Sequence, residues 1–257
     1  VGPAMAGILI ATVGVVPCFG INLATFVAML AALWLMDPRT LQAPPPATRK
    51  PGAIREGLRH VRRTPELAVP LALMALVGTL GFNFQVALPL LAKFSFGGGA
   101  GSYAVLVSAM GVGSITAALV NGHRGQTGGA IIAAASLAFG VAALFAAVMP
   151  SLILEAVALA ALGGAAVIFV SSINSTIQLA VSAEMRGRVM ALFSIVFLGS
   201  TPIGGPLTGW LAEAYDPRLP LVLAGISGLS AAWAARMIFT RMSERTGAQA
   251  RPLEASV

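Results

Sequence analysis

The chain has 257 residues, of which 57% are hydrophobic and only 10% charged, with a mean hydropathy of +0.88. A soluble domain carries about 25% charged residues, so this chain lacks the polar surface to face water. Its net charge of +7 does not point to nucleic acid, because the basic residues sit in separate loops between apolar runs, with few aromatics among them. The single Cys18 excludes an intrachain disulfide and a cysteine-based metal site, and in its apolar run it reads as a small buried hydrophobe.

Almost uncharged runs occupy about 1–16, 18–36, 67–92, 101–121, 128–149, 151–180, 188–212 and 219–240. A helix needs about 20 apolar residues to cross ~30 Å of hydrocarbon, so most of these runs are long enough to span a membrane. The first run opens at Val1, without Met and without a basic segment ahead of it, so the run itself is not expected to be a signal peptide. It stops short at Pro17, and the expectation is a chain that starts partway through a longer protein.

Between Asp37 and Pro51 the composition changes, with Pro38, Pro44, Pro45, Pro46 and Pro51 predicting an extended stretch. Over 53–63, Ile54, Leu58 and Val61 recur at i, i+4 and i+7, while Arg55, Arg59, Arg62 and Arg63 occupy the rest of the surface. This predicts an amphipathic basic helix lying on the membrane; a solvated charged helix gives nearly the same pattern. Thr64-Pro65-Glu66 reads as a helix start, with a capping hydroxyl, a proline in the first turn and an acid at the positive dipole end.

With 37–66 placed in the cytoplasm and each later run crossing once, fourteen of the sixteen Lys and Arg residues fall inside, and only Lys93 and Arg218 lie outside. That is the positive-inside bias of short loops, and it puts the C-terminus inside. The basic loops read as topology signals and as contacts for anionic lipid headgroups. Gly2 and Gly7 match Gly204 and Gly209 at a constant offset of 202, which suits a duplicated six-span unit.

Three passages carry a family resemblance: Val1-Gly2-Pro3-Ala4-Met5-Ala6-Gly7; Gly81-Phe82-Asn83-Phe84-Gln85 with Leu88-Pro89-Leu90; and Glu184-Met185-Arg186-Gly187-Arg188-Val189-Met190 with Leu198-Gly199-Ser200-Thr201-Pro202-Ile203-Gly204. Through them the sequence resembles the major facilitator superfamily, in the drug and siderophore efflux branch of enterobactin exporters, macrolide efflux proteins and transmembrane secretion effectors. The resemblance implies an all-α membrane fold of which about eight helices are seen, as spans 5–12 of twelve. Residues 1–36 are then the last two helices of an N-terminal half, 37–66 a cytoplasmic linker, 67–240 a complete C-terminal six-helix half, and 241–257 a tail. It further implies residence in the inner membrane of a prokaryote, a small-molecule substrate, proton antiport, no cofactor, and partnership with preceding helices of the same protein. The loop Asn121-Gly122-His123-Arg124-Gly125-Gln126 stands where the family repeats an acid-containing loop signature, but the acid is absent.

Polar groups at membrane depth are costly and mark the places to look for function. Ser171, Asn174 and Gln178 share a helical face and are candidates to line a substrate cavity; hydrogen bonding between helices suits them equally. Asn83 and Gln85, in the outer half of their span and two residues apart, point to nearly opposite faces, so at most one faces a cavity. The flanking Phe82 and Phe84 are assigned to lipid-facing packing. Glu155 is the one acid clearly inside a run; its shallow depth favours an interfacial position over a proton-coupling role. Arg124, Arg186, Gly187 and Arg188 form the cytoplasmic loop motifs. Gly2, Pro3, Gly7, Pro202, Gly204, Gly205, Pro206 and Gly209 are read as packing and kink positions.

A secondary efflux carrier is therefore the leading expectation. A membrane enzyme lacks a catalytic constellation at depth, since His60 and His123 both fall at the cytoplasmic ends, and no metal site is expected. A non-transporting membrane subunit or an inactive fragment is the alternative.

Overall fold

The computed structural model describes residues 15–36, 53–122 and 128–250. The run 1–14 with Gly2, Pro3 and Gly7, the proline-rich stretch and Arg124 lie outside these residues, as does the side chain of Cys18.

Every described element is helical: α1 (Val15–Leu35), α2 (Ala53–Arg63), α3 (Pro65–Gly81), α4 (Phe84–Leu90) running into a π-helical turn (Leu91–Ser95), α5 (Ala100–Gly122), α6 (Gly129–Ala147), α7 (Leu152–Ala180), α8 (Ala183–Gly199), α9 (Thr201–Ala214) and α10 (Leu219–Ala250). Six segments are long and apolar enough to cross a bilayer: Pro65–Ser95, Ala100–Val120, Gly129–Ala147, Leu152–Ala180, Glu184–Ala214 and Leu219–Met242. They coincide with the last six runs read from the sequence. In α1, every described side chain is exposed, Trp34 almost completely.

Small residues set the helix packing. A β-carbon at Gly140 of α6 would stand 2.7 Å from the Leu229 amide nitrogen and 2.9 Å from the Gly225 carbonyl oxygen of α10. One at Gly228 would stand 2.7 Å from the Gly140 Cα. The α6–α10 seam is thus backbone against backbone, the close approach that small residues permit where lipid offers no hydrophobic drive. Gly113 of α5 and Gly163 of α7 make a second such seam, facing the Ala160 and Met110 backbones respectively. Between the seams lies a core of Leu67, Met74, Leu106, Ile132, Phe139, Leu159, Leu162, Phe169 and Ile173, all fully buried. Buried serines return their hydroxyls to their own helices, Ser136 donating to Ile132 O at 2.7 Å and Ser172 to Ile168 O at 2.7 Å. This satisfies a polar group that hydrocarbon would otherwise penalise.

Two of the six segments are broken. Pro65–Ser95 breaks at Phe82–Asn83, and Glu184–Ala214 breaks at Ser200, with Pro202 in the first turn of α9. The breaks meet: a β-carbon at Gly204 would collide with the Thr79 carbonyl and the Asn83 amide group. Phe82 and Phe84 are not lipid-facing, as the sequence reading held. They are half-buried at the first break, in an aromatic cluster with Phe139 of α6, Phe169 of α7 and Phe197 of α8; the Phe82–Phe139 centroids are 5.3 Å apart, edge to face. The cause is the break itself, which turns both rings inward into space that a straight helix would fill.

The short basic helix also departs from expectation. In α2, Gly57 and Val61 are buried, Leu58 is 40% exposed, and the helix packs against α8 and α3. Protein covers the Gly57 and Val61 side of the helix, with Arg188 and Leu192 at 3.4–3.5 Å from the Gly57 β-position, while Leu58 remains exposed. Arg55, Arg59, Arg62 and Arg63 fall on the opposite face, and all are exposed. A single residue, Thr64, joins α2 to α3. Its hydroxyl makes no cap hydrogen bond, and Pro65 starts α3.

Candidate transport site

Ser171, Asn174 and Gln178 share one face of α7, where Gln178 is exposed and Ser171 and Asn174 are half-buried, while deeper along the same face Gly163 and Gly164 pack against α5. The opposite faces of α7 hold Phe169, Ile173 and Ile177 at zero exposure. Gln178 Nε2 donates to Asn174 Oδ1, so the two amides pair with each other and bond to no other helix.

Asn83 and Gln85 separate as their spacing requires. Gln85 is exposed, whereas Asn83 is 4% exposed and inside the break. Asn83 Nδ2 donates to Thr79 O at 2.7 Å, replacing a backbone bond that the break removes. Its Oδ1 is buried without a partner. A narrow gap beside it is lined by Gly81, Phe84, Ala87, Thr208 and Leu221. Asn83 serves the break rather than an open cavity.

Glu155 differs most from its reading. It sits in the first turn of α7, whose N-cap is Ser151, and its exposure is 0% rather than interfacial. Neither carboxylate oxygen has a hydrogen-bond partner, and no described cation lies within ion-pairing distance of it. Near this end of the bundle, Arg218 donates from Nη1 to Ala147 O at 3.0 Å, satisfying the C-terminus of α6, and its guanidinium stacks 5.7 Å from the Phe96 centroid. The sequence signal was the residue itself; depth counted along the run could not show that neighbouring helices close over it.

At the other end, Arg188 pairs with Glu56 of α2 at 2.8 Å, a pairing with an acid of another helix that the sequence reading ranked below a topology signal, and approaches Met185 Sδ at 3.4 Å. Arg186 and Gly187 are exposed, with nothing near Gly187. Of the kink positions, Gly204 and Gly205 are buried at the crossing with α3 and α4, Gly209 lies 3.7 Å from Val86 at its β-position, and Pro202 and Pro206 are exposed.

The family described as transmembrane secretion effector matches residues 1–255. No curated protein and no solved structure matches the chain. Six membrane-crossing helices and a family match over almost the whole length agree: the chain is an integral membrane transporter belonging to the transmembrane secretion effector family of the major facilitator superfamily.

Proposed function

We propose that the protein exports a drug-like or siderophore-like small molecule by secondary active transport coupled to proton antiport. The observation that carries this reading is the polar strip Ser171–Asn174–Gln178 on one face of α7, its exposure rising to Gln178, at a depth where a lipid-facing helix would be apolar. Neutral amides and hydroxyls suit a substrate that is amphipathic rather than highly charged. Gln85, exposed on α4 at a different depth, is a separate candidate polar position. Glu155, an acid buried within α7 with no hydrogen-bond partner for its carboxylate, is the candidate proton carrier. In this reading α2 and the C-terminus are cytoplasmic, the arginines of α2 meet anionic headgroups, and the substrate path lies between this bundle and the other half of the carrier.

The test is efflux from cells that express the carrier. Asn174→Leu together with Gln178→Leu should abolish substrate-dependent efflux while leaving insertion intact; unchanged transport would assign the strip to packing. Glu155→Gln should leave substrate binding in place but remove the response of efflux to the proton gradient. A cysteine at Gly98 should react with an impermeant thiol reagent in intact cells and one at Gly247 should not, and reversed labelling would sink the orientation.

A further inference from the structure

A cavity of about 980 Å³ opens between α3, α6 and α10, at the end of the bundle where α2 docks, away from the polar strip. It is at the top of the range of small-molecule pockets, about 300–1,000 Å³. Its walls are mostly apolar, and Leu137 and Trp233 at its rim are 49% and 68% exposed, so it opens sideways, where lipid chains lie. We infer that it binds one phospholipid whose zwitterionic headgroup carries a primary ammonium, that is, a phosphatidylethanolamine-type lipid.

Charge argues for a zwitterion. Glu66 and Arg236 line the same cavity, yet they make no ion pair within 4.0 Å, the one described pair being Arg188–Glu56. A purely anionic headgroup drawn to Arg236 would meet the Glu66 carboxylate, and a purely cationic ligand drawn to Glu66 would meet the guanidinium. A headgroup with phosphate and ammonium a few bonds apart satisfies both. The first turn of α6, from Gly129, also lines the cavity and adds its positive dipole end on the phosphate side. Thr176 Oγ1, buried and without a partner, stands on the wall as a polar atom suited to the glycerol ester region.

Depth agrees with charge. Glu66 is in the first turn of α3, and Arg236 is six residues before Met242, ~9 Å from the end of that crossing segment. Leu229 is seven residues deeper than Arg236, ~10 Å, and Leu137 is eight residues in from Gly129, ~12 Å. The charges therefore sit at headgroup level and the apolar wall at acyl-chain level, with Trp233 between them where tryptophan favours the interface.

The experiment uses the full chain with Trp34→Phe and Trp210→Phe, leaving Trp233 as its one tryptophan, reconstituted into vesicles. Brominated phosphatidylethanolamine, phosphatidylcholine or phosphatidylglycerol is introduced at equal mole fraction, and quenching of Trp233 reports occupancy. Preferential occupancy by phosphatidylethanolamine over phosphatidylcholine of about tenfold is expected, the low end for one charge-assisted hydrogen bond. Glu66→Gln should remove that preference, and Ala133→Phe, which fills the cavity, should remove it as well. Equal quenching by all three lipids would mean boundary lipid alone and overturn the site. A preference for phosphatidylglycerol that survives Glu66→Gln would replace the zwitterion with an anion and equally overturn it. Should the Glu66 variant fail to fold, native mass spectrometry of the unsubstituted protein from mixed vesicles decides, since retained phosphatidylethanolamine must exceed retained phosphatidylcholine.

Discussion

The α6–α10 seam and the crossing of α3–α4 with α9 both rest on glycine, but they use it to opposite ends. At the seam, Gly140, Gly225 and Gly228 bring two unbroken helices into backbone contact. Each helix keeps its own hydrogen bonds, so nothing there invites movement. At the crossing, Gly204 meets a helix that has already broken, where Asn83 Nδ2 stands in for a lost backbone donor and Asn83 Oδ1 goes unpaired. Close approach makes the first region rigid. The same close approach at a broken helix makes the second a place where the chain can bend. The aromatic cluster around Phe82 fills that break, so a change of angle there reaches Phe139, Phe169 and Phe197 together.

The largest effect should come from the seam. Gly140→Val puts side-chain atoms within the α10 backbone, and overpacking of this kind costs about 1–3 kcal/mol or more. Thermal unfolding of the detergent-solubilised protein should show a clear loss of stability, whereas Gly111→Ala, with open space at its β-position, should show none. Equal behaviour of the two variants would remove the seam from the comparison.

Gly204→Ala should come next, with a stability loss toward the lower end of that range, because the break can yield where the seam cannot. Transport should fall further than stability does. Asn83→Leu sharpens the point: it removes an unpaired buried oxygen along with one hydrogen bond, so thermal stability should change by less than about 1 kcal/mol. Efflux should nonetheless drop sharply if the break is a working hinge. Full transport by Asn83→Leu would show the break to be static.

The smallest effect belongs to the Glu56–Arg188 pair. Its side chains are 58% and 29% exposed, and such pairs contribute about 0–1 kcal/mol. Glu56→Gln should leave unfolding nearly unchanged but widen the distribution of spin-label distances between α2 and α8. An unaltered distribution would mean that Gly57 and Val61 hold α2 in place by packing alone.

Much of the architecture was legible from the sequence. Six crossing segments follow from apolar run length alone, because hydrocarbon thickness imposes a minimum and unpaired backbone groups force a helix. The separation of Asn83 from Gln85 and the shared face of Ser171, Asn174 and Gln178 follow from the angular step of the helix, which no tertiary contact alters. What lay beyond the sequence was which neighbour covers each face. Hydropathy cannot distinguish lipid from protein as the apolar partner, so Phe82 and Phe84 were assigned outward, and the apolar side of 53–63 was assigned to the membrane. Tertiary packing decided the rings, through the break at Asn83, and it set Gly57 and Val61 against neighbouring helices while leaving Leu58 exposed. It also decided Glu155: counted along the run the residue lies near water, but burial depends on the helices that surround it, and they close over it completely.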